Sequence, residues 1–574
     1  MKTRYLKRFF IFKQFVMIFA SLLFLAVICV QTTYAQYPKV PADVREQAAR
    51  KKEAMDKHSD EAWDKALPVI KEWEAKGKPY IPWAAKPDDL PQALIPAFPG
   101  AQGGGMYSFG GRGGKVYVVT NLNDRGPGSF REALEAGGPR IVVFNVAGII
   151  KLDERIRVRA PYITIAGNTA PGDGVCIAGD TVELETHDVI IRHMRFRRGA
   201  TWVGDRNDSI GGNPVGNIMI DHVSASWGLD ENMSMYRHNY KPPNGGKNLK
   251  LPTVNITIQN SIFSEALDTY NHSFGSTIGG YNSTFHHNLW ACNTGRNPSV
   301  GMIYDFTFVN NVIYNWVHRT TDGGGPRSFY SMINNYYKPG PVTPADHPIR
   351  YRIIKPDGRI SQQGEPRFGK VYASGNFVEG NKAVTEDNWA GGVQVDEGDG
   401  HDPKIVLPLI RQDKPYPHAY IDIEPAKDAY QTVLAGAGAT LPKRDAVDER
   451  IMEQVRTGRV TTSPQVDPNA LYQFEHRRLG RDSYLKGIIT DIRLVGGYPE
   501  YKGTPYKDTD GDGMPDEWES KYGLDPEDAS DASGDLNRDG YTNIEDFING
   551  IAPNGPKIEW KTPRTYVDIW KNAG

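Results

Sequence analysis

The sequence predicts an all-β solenoid, a parallel β-helix, carrying an N-terminal helical segment and a small C-terminal calcium-loop module. Three observations lead there. Between Ile190 and Phe377 one short pattern recurs: apolar residues, a polar residue, an Asn or His, then more apolar residues. It falls at His193, His222, Asn260, Asn288, Asn311, Asn335 and Asn376, in steps of 29, 38, 28, 23, 24 and 41 residues. A period in the twenties with occasional long steps marks stacked repeats with loops inserted on one face. Each unit is a short β-branched or aromatic run with turn residues after it, so the units are strand coils rather than helix pairs. The 60 glycines and the Asn-rich turns fit many short strands. The recurring Asn or His is expected at one turn of successive coils, each bonding to the one above and satisfying buried polar groups. An antiparallel sandwich is the alternative, but its strands repeat every ~8–12 residues.

Taken in order, residues 1–35 read as a secretory signal. Lys2, Arg4, Lys7 and Arg8 form a charged start, Phe15 to Val30 an apolar core, and Thr33-Tyr34-Ala35 a cleavage site. An uncleaved anchor is the alternative, and no later stretch is long and apolar enough to span a bilayer. Residues 36–95 carry a helix from about Pro41 to Lys76, with Trp63, Leu67, Ile70 and Trp73 on one face, and then a proline-punctuated linker. Residues 96–380 are the solenoid. Its opening glycine clusters, 101–105 and 110–114, precede a strand at Val116–Val119, which favours tight turns over a phosphate cradle. A short helix from Ser129 to Ala136 is placed over the open apolar end of the stack. Strands follow at Ile141–Phe144, Ile163–Ala166 and Val175–Ile177. In 381–500 the period is lost, and helices at Asp422–Leu434 and Arg444–Gly458 are expected to wrap back and cover the other end.

Residues 501–574 differ again. Asp508, Asp510, Asp512, Gly513, Asp516 and Glu519 fit a twelve-residue calcium loop, and Asp535, Asn537, Asp539, Gly540, Asn543 and Asp546 fit a second. Alternate oxygen ligands face inward, the sixth-position Gly permits the sharp turn, and the twelfth carboxylate closes the shell. The second loop ends in Asp, which has the shorter reach. The module is similar to dockerin-like or thrombospondin-type calcium repeats, and a structural role is expected for it.

Four opening motifs carry a further resemblance: Phe98-Pro99-Gly100-Ala101, Gly128-Ser129-Phe130-Arg131-Glu132-Ala133, Ile163-Thr164-Ile165-Ala166-Gly167 and Ala170-Pro171-Gly172. Over roughly residues 95–380 the chain resembles polysaccharide lyase family 1, the pectate lyases, most closely the large secreted forms of glycan-degrading bacteria. That resemblance implies a right-handed parallel β-helix. It also implies calcium-dependent β-elimination on an α-1,4-galacturonan, in which a base removes the C5 proton and the C4 oxygen leaves. The uronate carboxylate must be neutralised, which a hard cation held by protein carboxylates does.

Carried over, Asp208 and Asp230 are the calcium ligands. Glu231 is a third candidate, because the usual later carboxylate is replaced by Ser234. Arg296, in Gly295-Arg296-Asn297-Pro298, is the implied base, although its solution pKa of ~12.5–13.8 makes arginine a poor one. Two departures stand out. Phe274 occupies the place of the usual substrate-binding Lys, and Gly301 that of a second Arg. His272 is expected to share the lost role as donor or acid, and Arg206, Asn297 and Arg319 to bind substrate.

The formal net charge of −2 and the lack of a basic block exclude nucleic acid as a partner. Of three cysteines, Cys29 lies in the signal, while Cys176 and Cys292 fit no disulfide framework or zinc site and are expected as buried small hydrophobes. The expectation is thus a monomeric enzyme, secreted, periplasmic or at the cell surface, that uses calcium and acts on an acidic plant polysaccharide, polygalacturonate. A hydrolase on the same fold, a non-catalytic glycan-binding β-helix, and a lyase for another uronic acid polymer are the alternatives.

Overall fold

The computed structural model describes residues 42–199, 206–301, 304–360, 366–395, 402–471 and 477–557. The expected signal segment and Cys29 lie outside them. The chain is a parallel β-helix. Among the described residues, three parallel sheets of ten, eight and nine strands run the length of the stack. Each coil contributes one short strand to each sheet. One coil, for example, runs Val254–Gln259, Ile262–Ser264 and Phe274–Ile278. Strands this short and rich in Val, Ile and Phe bury apolar side chains toward the stack axis, where Trp290, Trp316, Phe285, Phe306 and Phe308 are fully enclosed.

The recurring polar residue resolves into two columns, which corrects the single column expected. His193, His222, Asn260, His287, Asn310 and Asn334 hold left-handed backbone with φ from 49° to 55°. They form the sharp turn between the ten- and nine-stranded sheets, and Asn tolerates that conformation best among residues with a Cβ. The side-chain ladder is the next residue along. Asn288, Asn311, Asn335 and Asn376 are each bonded, Nδ2 to Oδ1, to the following member at 2.8–3.1 Å, and the run ends on Asn388. Adjacent Asn-Asn pairs hid the one-residue phase difference.

Both ends of the stack are covered. Phe130–Glu135 forms the expected helix, with Ser129 accepting from the Glu132 amide and Phe130 and Leu134 fully buried. At the far end Val384, Val406 and Ile410, from helices Lys382–Glu386 and Pro403–Ile410, join the axial core. Helices Ala426–Gly436 and Ala446–Thr457 pack instead along the outside of the nine-stranded sheet, placing Tyr430, Val433, Ile451 and Val455 on Ile262, Leu289 and Val312. This segment is tied down by buried Arg197, whose guanidinium bonds Asp445 and Asp448 at 2.8–3.0 Å. The N-terminal helix Ala42–Ala75 runs beside the first coils and is pinned by Lys51–Asp180 and Asp56–Arg157 at 2.8 and 2.7 Å. Cys176 and Cys292 are buried and unpaired.

The glycine clusters serve close approach as well as turning. A Cβ on Gly104 or Gly105 would lie 2.0 Å from the carbonyl oxygen of Asn282 or Ile218, so only glycine lets this segment lie flat on the ten-stranded sheet. The C-terminal module sits on the same sheet near its first strands. Met514, Ala532, Ile544 and Ile548 pack on Ile141, Val143 and Ala166, and Arg112 pairs with Glu545 at 2.9 Å. No helix among the described residues is long and apolar enough to cross a membrane.

Candidate functional site

The eight-stranded sheet carries the site. Its strands Ile210–Gly212, Glu231–Met235 and Phe274–Ile278 are successive neighbours, in a register that pairs Ile210 with Met233 and Glu231 with Phe274. Asp208 therefore stands one coil from Glu231, and its Oδ1 accepts the Glu231 amide at 3.1 Å. Asp230 closes the group: oxygens of Asp208, Asp230 and Glu231 lie within 4.8 Å of one another. Arg296, at the next coil, bonds Glu231 through Nη1. The acids and the arginine expected to surround one sugar ring are thus brought to one cleft of about 330 Å³, which Arg206, Ser234, Thr277, Tyr236 and Arg237 also line.

The electrostatics of the cleft follow from crowding. Burial, then Glu231 and Asp230, pushes the Asp208 carboxyl well above its ordinary value, and its Oδ2 is buried without a partner. Burial and the Asp230 charge raise Glu231 as well. Burial also opposes charge on Asp230, but its hydrogen bond to His272, together with the His272 and Arg296 charges, outweighs that and holds it below its ordinary value. Desolvation works against the Arg296 cation, yet Glu231 and Asp230 prevail and hold the guanidinium protonated. An all-oxygen group of three carboxylates with one orphaned, buried oxygen fits a hard cation. A thiolate or imidazole metal is not favoured there.

His272 is buried, with Nδ1 on Asp230 and Nε2 3.4 Å from Arg206 Nη1. Phe274, the departure noted in the sequence, lies under two guanidinium groups, Arg296 at 4.3 Å and Arg319 at 4.7 Å from its ring centroid. Arg319 also pairs with Asp322 at 3.1 Å. Asn297 does not reach the cleft. It is buried beneath it in a second polar ladder, which runs from Asn232 to Asn293 and from Asn293 to Asn297 at 3.1 Å each, and on to the Arg319 carbonyl at 3.0 Å. Its expected substrate contact is corrected accordingly.

Sequence reasoning missed Thr277, whose Oγ1 donates to Glu231 at 2.8 Å. It also missed Tyr236 and Arg237 at the base of the antiparallel hairpin 237–252. The 38-residue step between His222 and Asn260 was the signal that a loop had been inserted there.

In the C-terminal module Asp508, Asp510 and Asp512 come together, and Asp512 also meets Glu519 and Asp531. Both oxygens of fully buried Glu519 lack a partner, as do both of Asp546 in the second loop. Asp516 is not in the group. Its carboxylate caps Thr509, accepting from that residue's amide and hydroxyl at 2.7 Å and pairing with Lys507 at 2.6 Å. Asn543 is likewise occupied, accepting the Leu536 amide at 3.1 Å and donating to the Asp531 carbonyl at 2.8 Å. Asp535 accepts the Asp539 and Gly540 amides, and Asn537 accepts the Asp539 amide, so these residues shape the second turn.

No protein-family model matches the chain. Among curated proteins, probable pectate lyase C of Aspergillus fumigatus is 36% identical over 477 residues, spanning 80% of this chain and 95% of that protein. The same-named protein of Neosartorya fischeri is 35% identical over 475 residues, with the same coverage. These relatives are fungal, so the likeness to bacterial forms does not come from them. Two solved structures are also similar. The cedar pollen allergen jun a 1 is 18% identical, with a TM-score of 0.34, covering 59% of this chain and 92% of that one. A pectate lyase bound to a hexasaccharide is 15% identical, with a TM-score of 0.37, covering 61% and 98%.

Proposed function

The chain belongs to the pectate lyase family, and from that membership we propose that it cleaves α-1,4-linked galacturonan by β-elimination with calcium held by Asp208, Asp230 and Glu231. The observation that carries this reading is the meeting of those three carboxylates with Arg296 in one cleft. A calcium ion there would supply the positive charge that neutralises the uronate carboxylate and makes the C5 proton acidic enough to leave.

Arg296 is the proposed base. In the free enzyme Glu231 and Asp230 strengthen its hold on its proton, and a calcium ion engaging those carboxylates would remove that added hold. The electron pair of the C5–H bond forms the C4=C5 double bond as the C4–O bond breaks, and a proton from solvent water goes to the departing oxygen. His272 has both ring nitrogens engaged, by Asp230 and Arg206. It therefore acts as a positioning residue that keeps Asp230 charged and aimed. Arg206 and Arg319 set the positive surroundings that the uronate carboxylate meets. In the C-terminal module we assign structural calcium to Asp508, Asp510, Asp512, Glu519 and Asp531, and to Asp535, Asn537, Asp539 and Asp546. The unpartnered buried carboxylates of Glu519 and Asp546 support this assignment.

One assay tests the main reading. Incubation with polygalacturonate and calcium is expected to raise the ultraviolet absorbance of a conjugated, unsaturated uronate, and Arg296→Ala is expected to abolish that rise without lowering the melting temperature. New reducing ends without absorbance would mean hydrolysis. Retained binding with neither signal would mean a glycan-binding protein. Turnover that survives thorough chelation would remove the metal assignment at Asp208 and Asp230.

A further inference from the structure

The catalytic cleft does not end at Thr277. Thr277 and Tyr236 line it and also line a second hollow of about 500 Å³ that continues along the same sheet. The strands beneath are consecutive: Phe274–Ile278, then Ser299–Val300, then Thr321–Gly323. Each coil advances ~4.8 Å along the axis, a step on the scale of one sugar ring. A polymer lying in the catalytic cleft and running along the stack therefore enters the second hollow within a unit or two.

The hollow is built from aromatic rings backed by cations. Tyr236 lies across Gly301, where a Cβ would stand 2.2 Å from the ring's Cδ2 and 2.3 Å from its Cγ. These atoms sit at the root of the ring, so they have no room to give. The missing side chain at 301 is what lets Tyr236 occupy this place. The Arg237 guanidinium lies 4.8 Å from the Tyr236 ring centroid. Tyr304, which also lines the hollow, packs on Tyr281 with ring centroids 4.3 Å apart and planes tilted by 32°. Arg327, exposed at the rim, donates to the Tyr304 hydroxyl at 3.2 Å and covers its ring at 5.2 Å. Among the described residues no carboxylate pairs with Arg327 or Arg237. In a chain with 69 acidic residues, an exposed guanidinium without a carboxylate partner at the rim of an aromatic-lined hollow, Arg327, amounts to a site for an anion carried on an apolar ring. A uronate sugar has that chemistry: a C–H face to lie on an aromatic ring and a carboxylate for a guanidinium fork.

We propose that this second hollow is a subsite for a de-esterified uronate unit beyond the cleaved bond, with Tyr236 and Tyr304 holding the sugar ring and Arg327 its carboxylate. On this view the cation lost at Gly301 is not missing from the enzyme. It has moved one coil along and onto the outer wall, and Tyr236 fills the vacated space. The proposal rests on the galacturonan-lyase reading of the adjoining cleft.

The test compares wild type with Arg327→Gln and Arg327→Lys on trigalacturonate, hexagalacturonate and methyl-esterified hexamer. For Arg327→Gln, kcat/KM on the hexamer is expected to fall about tenfold, mainly through KM, with less than a twofold fall on the trimer. Arg327→Lys is expected to recover part of the loss, and the methyl-esterified hexamer to distinguish the variants by less than twofold. Equal losses on trimer and hexamer would overturn the proposal, as would no loss on the hexamer. If the wild type eliminates none of these substrates, the lyase reading fails separately. Calorimetric binding of the hexamer then decides the subsite: weaker binding by Arg327→Gln supports it, and unchanged binding overturns it.

Discussion

Asn293→Ala is the substitution that links the frame of this protein to its chemistry. Asn293 is fully buried and makes four hydrogen bonds. Its Oδ1 accepts the Ala266 amide and Asn232 Nδ2, both at 3.1 Å, and its Nδ2 donates to the Phe263 carbonyl at 3.0 Å and to Asn297 Oδ1 at 3.1 Å. At ~1 kcal/mol net for each bond, with a further ~1 kcal/mol for the stranded Ala266 amide, the loss comes to about 5 kcal/mol. That is a large share of the ~5–15 kcal/mol that holds a typical domain folded. The effect should reach the cleft, because Asn232 directly follows Glu231 and Asn297 directly follows Arg296. Cutting the ladder between them frees Glu231 and Arg296 to drift apart, and if these are the reacting groups proposed above, small misplacements would cost ~100-fold in rate. Equilibrium urea denaturation measures the first effect, and ultraviolet detection of unsaturated product under folding conditions measures the second. A loss below ~1 kcal/mol, or turnover within twofold of wild type, would refute the view that this ladder positions the site.

Two further outcomes follow from charge. In the C-terminal module burial, then neighbouring acids, raises Asp512 and Asp546 to about 7 and Glu519 to about 8. The folded module therefore holds protons that the unfolded chain has released above ~4. Under chelation its melting temperature should fall as pH rises from 4 through 8, and added calcium should remove that slope. A melting temperature that rises over this window without calcium would contradict the assignment. Arg197→Ala leaves Asp445 and Asp448 buried beside an empty space, and should cost ~3–5 kcal/mol and loosen the wrapping helices. Hydrogen exchange at Ala446–Thr457 would report this, and unchanged protection there would count against it.

The fold was legible because its periodicity is written in residue types that only stacked strands can use. The phase of the turns was not, since Asn310-Asn311 and Asn334-Asn335 offer two adjacent asparagines and only the backbone angle distinguishes the turn member from the ladder member. Asp208, Asp230, Glu231 and Arg296 were singled out through the family resemblance, and the stacked coils bring these four side chains together. Tyr236 and Arg237 could not, because they reach the cleft through a hairpin whose path is set by packing rather than by the repeat. Asp531 was invisible for a similar reason. It lies outside the twelve-residue spacing, in the short turn Asp531–Ser533, and joins Asp512 and Glu519 only after folding. Asp516 shows the converse. It occupies a ligand's place in the spacing, but it opens helix Asp516–Tyr522, and its carboxylate folds back onto Thr509.

The seating of the C-terminal module against strands Arg140–Phe144 and Ile163–Ala166 limits how this architecture can change size. A solenoid lengthens most simply by gaining rungs at either extremity. Here the C-terminal module is fastened over the first rungs, and helices plug both openings. New rungs cannot be appended without prising the fastening loose, so variation in length is channelled into loops between rungs, as in the hairpin 237–252 beside the carboxylate cleft.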